Sequence, residues 1–251
     1  MSKGLAAIEC KYKKLFVGLR LEASYPSLRL ASSMQAEFAQ TLQTQLESLK
    51  VGILVLMTHA QESGRSGTGP CITVPAALLS RPGVEESPDT AQIPDLETSA
   101  RLLSLFNSTT TRTLLSTTLA AIRYSSKTLF SREGTPFGKP CQEGNKTSYL
   151  ETCKRSSWKE MTAMGLFKDI MSPWQSWANT LLSYDNKMSL GNKVKRCLDI
   201  LLKKGSSGIG WALFDIQQEV FRAGDCELKT AGLGDHDRIK LVRTILDDYA
   251  Q

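Results

Sequence analysis

The sequence predicts an α+β protein. A small, mainly antiparallel sheet backed by an amphipathic helix forms the N-terminal part, and the C-terminal part is mostly helical. Three observations support this class. Within residues 10–57 the apolar side chains first alternate with others, as in a strand, then recur every 3.6 residues, as in a helix, and finally form a continuous run. Residues 81–99 form an acidic, proline-rich break, and beyond residue 148 apolar residues recur at helical spacing.

The N-terminal elements follow from periodicity. Residues 15–21 alternate between apolar and other side chains, as a half-buried strand does, and residues 28–30 suggest a short return strand. Ser32 and Gln35 form a capping box ahead of an apolar stripe at helical spacing, which predicts a helix. Residues 51–57 are continuously apolar and too few to cross a membrane, which predicts a strand buried on both faces.

The composition predicts three regions. Residues 1–80 form the unit of sheet and helix, and residues 81–99 form an acidic, proline-rich linker or exposed loop. Residues 100–251 form a mainly helical region, either separate or packed with residues 1–80 as one domain. Within it residues 102–106 begin a short helix, and residues 114–124 fit either a helix or a strand, because threonines interrupt the leucine spacing.

Five helices are predicted after a loop at residues 131–149. They cover residues 158–167, a segment that begins near Pro173, residues 190–202, residues 211–221 and residues 239–249. Pro173 suits the first turn of a helix, where its missing N–H group has no role. The final helix presents Leu241, Val242 and Ile245 to the interior.

The cysteines and termini predict an intracellular protein. Six cysteines are scattered without a C-x-x-C pair, and no apolar signal segment precedes Cys10. We therefore expect reduced, mostly buried thiols, no metal site and no transmembrane segment. Asn107-Ser108-Thr109 and Asn145-Lys146-Thr147 match the glycosylation sequon, but a chain outside the secretory pathway is not glycosylated.

The net charge of +6 and the pI of about 9.0 favour an acidic partner. Residues 127–204 carry 14 Lys or Arg residues against 7 Asp or Glu residues, so the excess lies there. One interpretation is a solvated face, in which Lys203 and Lys204 complement a helix C-terminus. The other is a surface that binds the phosphates of a membrane or a nucleic acid. Its candidate residues are Lys154, Arg155, Lys159, Lys193, Lys195, Arg196, Lys203 and Lys204.

Enzyme signatures are weak. Residues 205–210 resemble the glycine-rich cofactor turn of short-chain dehydrogenases, but too few residues follow for the rest of that fold. His59 and His236 are the only histidines, and the acidic neighbours of His236 are adjacent in sequence rather than positioned by a fold. The sequence therefore predicts no catalytic residue, no cofactor and no enzymatic activity. An enzyme that uses residues 205–210 to bind a cofactor is the least favoured alternative.

Tyr25, Pro26 and Leu28 form a Y-P-x-L sequence, which is similar to a late-budding motif of viral structural proteins. With the basic charge, the small sheet and the acidic loop, the chain resembles the matrix proteins of rhabdovirus-like negative-strand RNA viruses. The resemblance implies self-association, binding to anionic lipid, a nucleocapsid partner and recruitment of host membrane-scission machinery. It places the protein in the virion, in the host cytoplasm or nucleus and at the inner face of a membrane. The alternative is an RNA-binding or host-interaction accessory protein that uses the basic C-terminal helices.

Overall fold

The structure is a computed structural model. It describes residues 15–19, 32–59, 63–64, 71–79, 95–106, 108, 110–130, 136–152, 162–167, 172–202, 209–219 and 236–250. The helices are α1 (Ser32–Ser48), α2 (Leu96–Leu103), α3 (Lys187–Leu202) and α4 (Asp237–Tyr249). The strands are β1 (Leu15–Leu19), β2 (Val51–Leu56), β3 (Ser63–Gly64), β4 (Arg112–Thr118), β5 (Ala121–Ser125), β6 (Glu143–Thr147), β7 (Thr162–Phe167), β8 (Ser172–Trp177), β9 (Thr180–Ser183) and β10 (Ile209–Phe214).

Four strands form a parallel sheet in the order β1-β2-β4-β10. Helices precede each new strand along the chain: α1 joins β1 to β2, α2 comes before β4, and α3 comes before β10. This alternation is typical of βαβ units, in which a helix covers one face of a parallel sheet. Because the strands are parallel, all of their carboxyl ends lie at one edge.

The other six strands form an antiparallel sheet in the order β3-β6-β5-β9-β8-β7. It is inserted between β4 and α3, apart from the two-residue strand β3. Only Leu119 and Ala120 separate β4 from β5, so the inserted sheet begins directly at the carboxyl edge of the parallel sheet. Both residues are fully buried, and the main-chain N–H of Leu119 donates to the carbonyl of Phe214 over 3.0 Å.

A single apolar core joins the parallel sheet to the helices. Leu54 and Leu56 of β2, Leu115 of β4 and Trp211 of β10 all belong to it. Helices α1 to α4 contribute further buried side chains, among them Ala39, Leu96, Val194 and Val242. The core therefore contains residues from both sides of the predicted linker. That linker, residues 81–99, lies largely outside the described residues, so the predicted domain division stays a prediction.

Two buried ion pairs connect the elements. Lys193 of α3 donates to Asp185 over 2.5 Å, and neither side chain is exposed. Burial lowers the pKa of Lys193, although the Asp185 carboxylate opposes that shift. Arg238 of α4 pairs with Glu219 and lies over the Tyr149 ring, with its guanidinium carbon 3.8 Å from the ring centroid.

Cys71 and Cys141 form a disulfide bond. The prediction of reduced thiols is therefore wrong for these two cysteines, whose pairing across 70 residues no local pattern revealed. Cys197 is a free, buried thiol on α3. Disulfides persist in oxidising compartments, so this bond also removes the argument for an intracellular location.

The predicted fold class is wrong. The N-terminal sheet is parallel rather than antiparallel, because β1 pairs with β2 in the same direction through the connection that contains α1. The C-terminal part contains the larger, antiparallel sheet rather than mostly helices. The suggested return strand at residues 28–30 lies outside the described residues.

Several individual elements were also mistaken. The predicted helix at residues 158–167 contains β7, and the segment after Pro173 forms the hairpin of β8 and β9, with a turn at Ala178. The predicted helix at residues 211–221 begins as β10, and the predicted loop at residues 131–149 contains β6. Residues 114–124, which fitted either type, belong to β4 and β5. Short apolar runs fit both periods, and pairing with neighbouring strands decides between them.

Candidate functional site

Polar and aromatic side chains meet at the carboxyl edge of the parallel sheet. Thr58 and His59 follow β2, Thr118 ends β4, and Asp215 follows β10. In open parallel sheets and in barrels of parallel strands, ligands bind at this edge, because the loops there differ while the strands stay fixed. The edge is therefore the candidate functional site.

Asp215 is the charged centre of this site. Its carboxylate accepts a hydrogen bond from the Thr118 hydroxyl over 2.6 Å and pairs with the Lys146 ammonium over 2.9 Å. Lys146 comes from β6 of the inserted sheet, so the ion pair joins the two sheets. The side chains of Lys146 and Asp215 keep 19% and 14% of their surface exposed, which leaves the carboxylate within reach of a ligand.

The pKa of Asp215 lies below its ordinary value. Burial alone would raise the pKa, but the hydrogen bonds from Thr118 and Lys146 and the charge of Lys146 outweigh it. Asp215 itself has a left-handed backbone conformation, with φ of 57°, at the start of the short 3-10 helix Ile216–Gln218. At neutral pH the site therefore presents an ionised carboxylate, which accepts hydrogen bonds and does not act as a general acid.

A second group of contacts supports the edge from β2. The Ser116 hydroxyl is hydrogen-bonded to the main-chain N–H of Thr58 over 3.0 Å and to His59 Nδ1 over 2.8 Å. The His59 ring packs on Phe214, with 4.7 Å between the ring centroids and 35° between the ring planes. His59 is almost fully buried and Phe214 is half-buried. These contacts hold the ring of Phe214, the residue that precedes Asp215, at the carboxyl edge.

A separate concave region lies at the far end of β5. It is a cavity of about 500 Å³ lined by residues 126–130, 136 and 139–142, including Lys127, Lys139 and Cys141 of the disulfide. The described residues contain no cluster of His, Cys, Asp or Glu that could hold a metal ion. No helix in the described part of the chain is long and apolar enough to cross a membrane.

Three of the predicted basic residues, Lys193, Lys195 and Arg196, belong to the described part of the chain, and they lie on α3 rather than at this site. Lys193 is fully buried against Asp185, so its charge is not available to a phosphate. Lys195 and Arg196 lie on the exposed side of α3, where Arg196 donates to Glu97 over 2.9 Å. The other candidates, Lys154, Arg155, Lys159, Lys203 and Lys204, lie outside the described residues, as do Tyr25, Pro26 and Leu28 of the predicted budding motif.

The sequence analysis missed Asp215, Thr118 and Lys146. The available signal was the acidic residue directly after the apolar run at residues 209–214. Had that run been interpreted as a strand, the rule that functional residues follow parallel strands would have indicated Asp215. No sequence signal pairs Lys146 with Asp215, because the contact spans 69 residues. His59, one of the two histidines of the sequence, also lies at the site, where no catalytic residue was predicted.

The fold is similar to that of chitinase-like proteins, although no protein-family model matches the sequence and no curated protein matches it. The group IV chitinase of Ostrinia furnacalis, solved with allosamidin, has 13% identity and a TM-score of 0.59, over 95% of this chain and 69% of that one. A glycoside hydrolase family 18 N-acetylglucosaminidase of Paenibacillus barengoltzii has 12% identity and a TM-score of 0.55, over 92% and 56%. Human YKL-39, a pseudo-chitinase with retained chitooligosaccharide binding, has 13% identity and a TM-score of 0.52, over 93% and 80%.

At these identities the likeness shows the fold, which is the TIM-barrel fold of chitinase-like proteins. A complete barrel of this type has eight parallel strands, and the described residues contain four of them. The chain spans about half to four fifths of the length of these structures. The similarity covers both sheets, since more than nine tenths of this chain is aligned in each.

These neighbours contradict the resemblance to viral matrix proteins. Five further predictions are contradicted with it, because all were inferred from that resemblance or from charge alone. They are the virion location, the budding role, the lipid partner, the nucleocapsid partner and the RNA-binding alternative. The prediction that the protein is not an enzyme is contradicted as well, since the neighbours include chitinases. Charge misled the prediction because a net surplus does not show where the individual cations lie: Lys193, a predicted binding residue, is buried in an ion pair with Asp185.

Proposed function

We propose that the protein has a glycoside hydrolase-like function and binds oligosaccharides of N-acetylglucosamine at the carboxyl edge of its parallel sheet. The observation that carries this proposal is the position of Asp215, ionised and partly exposed, at the end of β10. The solved chitinase-like structures supply the ligand class, since one is described as binding chitooligosaccharides.

The chemistry of the edge suits a sugar. A carboxylate accepts hydrogen bonds from sugar hydroxyl and amide N–H groups, and bonds to a charged acceptor are stronger than neutral ones. Phe214, half-buried and held by His59, adds apolar surface against which the carbon–hydrogen face of a sugar ring can pack. Lys146 adds a charged donor beside the carboxylate.

Hydrolysis makes a further demand on the site. Most glycosidases pair a protonated acid, which donates to the leaving oxygen, with a second carboxylate, whereas in family 18 the substrate itself assists the reaction. The lowered pKa of Asp215 keeps the group ionised, so it can orient a sugar or stabilise developing positive charge but cannot be the acid. Turnover therefore also requires a separate carboxylic acid with a raised pKa.

The proposal is tested by calorimetric titration of the full chain with N-acetylglucosamine oligomers, with release of reducing ends measured on the same samples. We expect saturable binding that D215N weakens about tenfold or more, because hydrogen bonds to a charged group contribute about 1.5–3 kcal/mol. D247N is the matched control, since Asp247 is an exposed carboxylate paired only locally with Arg243 in α4. Absence of binding, or equal weakening by both substitutions, would contradict the proposal.

A further inference from the structure

A glycosylation sequon lies in strand β6 of the inserted sheet. Asn145-Lys146-Thr147 occupies β6, and Asn145 is half-buried. The sequence alone predicted no glycan here, because it predicted an intracellular chain outside the secretory pathway. The Cys71–Cys141 bond removes that premise, since structural disulfides form in oxidising compartments, where secreted chains fold.

The register of the sheet places Asn145 and Lys146 on opposite faces. Lys146 lies opposite Ile122, which is fully buried, in the pairing of β6 with β5. The Lys146 ammonium forms an ion pair with Asp215. Asn145 pairs with Arg123, which is exposed. Because successive side chains of a strand alternate between faces, Asn145 lies on the same face as the exposed Arg123, while Lys146 reaches the candidate site from the other face. Leu182 of β9, the other partner of Arg123, is buried on the face of Asn145.

Asn145 is half-buried, and its cross-strand partner Arg123 is exposed. A covalent glycan on Asn145 would project on the face that carries Arg123. It would not displace Ile122 and Tyr124, which are buried on the other face.

We propose that Asn145 is a site of N-linked glycosylation. The reaction transfers an oligosaccharide from a lipid-linked oligosaccharide pyrophosphate to the side-chain amide nitrogen. A bond forms between Nδ2 and the sugar C1 atom, the bond from C1 to the pyrophosphate oxygen breaks, Nδ2 loses one proton, and the lipid pyrophosphate leaves. The Thr147 hydroxyl completes the sequon that the transferase requires.

The test expresses the full chain behind a secretory signal in eukaryotic cells and analyses all membrane-enclosed and secreted protein. Peptide N-glycosidase in heavy-oxygen water converts a glycosylated asparagine into a labelled aspartate. We expect the label at Asn145 in the wild type and in T147S, and its loss in T147A, whereas N107Q leaves it unchanged. Recovery of the Asn145 peptide as unmodified asparagine from disulfide-bonded protein would overturn the proposal, as would a label that persists in T147A.

Discussion

The disulfide bond between Cys71 and Cys141 allows a quantitative test of how the fold is stabilised. It joins residues 70 positions apart. In the chain-entropy treatment, closing a loop of that length removes about 15 cal/mol/K from the unfolded chain, or about 4.4 kcal/mol at 25 °C. We therefore expect C71A/C141A to lower the free energy of unfolding by about 4 kcal/mol, a large part of the total stability of a typical domain.

The assay is urea unfolding of the wild type and the double variant in non-reducing buffer, followed by tryptophan fluorescence. C197A is the control, because it removes a buried cysteine that is not part of a disulfide. It should lower the free energy of unfolding only through lost packing, by about 1 kcal/mol. Repeating the measurement after reduction should abolish most of the difference between the wild type and the double variant. Equal stabilities of these two proteins in non-reducing buffer would refute the reasoning.

Three further predictions concern charged groups. K193M leaves Asp185 buried without its cation, so we expect a loss of about 3–5 kcal/mol by denaturant unfolding, partly restored in D185N/K193M. R243A should have little effect in the same assay, because its pair with Asp247 is exposed to solvent; a cost as large as that of K193M would contradict the role of burial. Asp215 has a lowered pKa in the folded state, so its stabilisation is present above its ordinary value of 3.8 and is lost as pH falls through the lowered value. In D215N the free energy of unfolding should therefore fall less steeply as the pH is lowered through the acid range. An unchanged dependence on pH would refute the lowered pKa of Asp215.

The elements that the sequence predicted correctly are those with long, regular apolar patterns. Helices α1, α3 and α4 and strand β2 occur where the periodicity indicated them. Each has an apolar stripe or run that faces the common core, so local pattern and tertiary packing agree. The short helix α2 also overlaps the segment expected at residues 102–106.

The failures have a shared physical cause. Strand direction and partner choice are properties of the whole chain, so the spacing of Leu15 and Val17 revealed a strand but not its parallel pairing with β2. Trp174 and Trp177 suited a helical stripe equally well, and their pairing with β9 decided the outcome. The candidate site was not predicted because Thr118 and Asp215 meet only through the pairing of β4 with β10, and Lys146 reaches them only through the contact of the two sheets.

A crystal structure of the protein with a bound N-acetylglucosamine oligomer tests the proposed function most directly. We expect a sugar ring at the carboxyl edge of the parallel sheet, with a polar atom of the sugar within hydrogen-bond distance of the Asp215 carboxylate. An oligomer bound instead in the cavity beside Cys141, or crystals that take up no sugar at concentrations that saturate binding in solution, would contradict it.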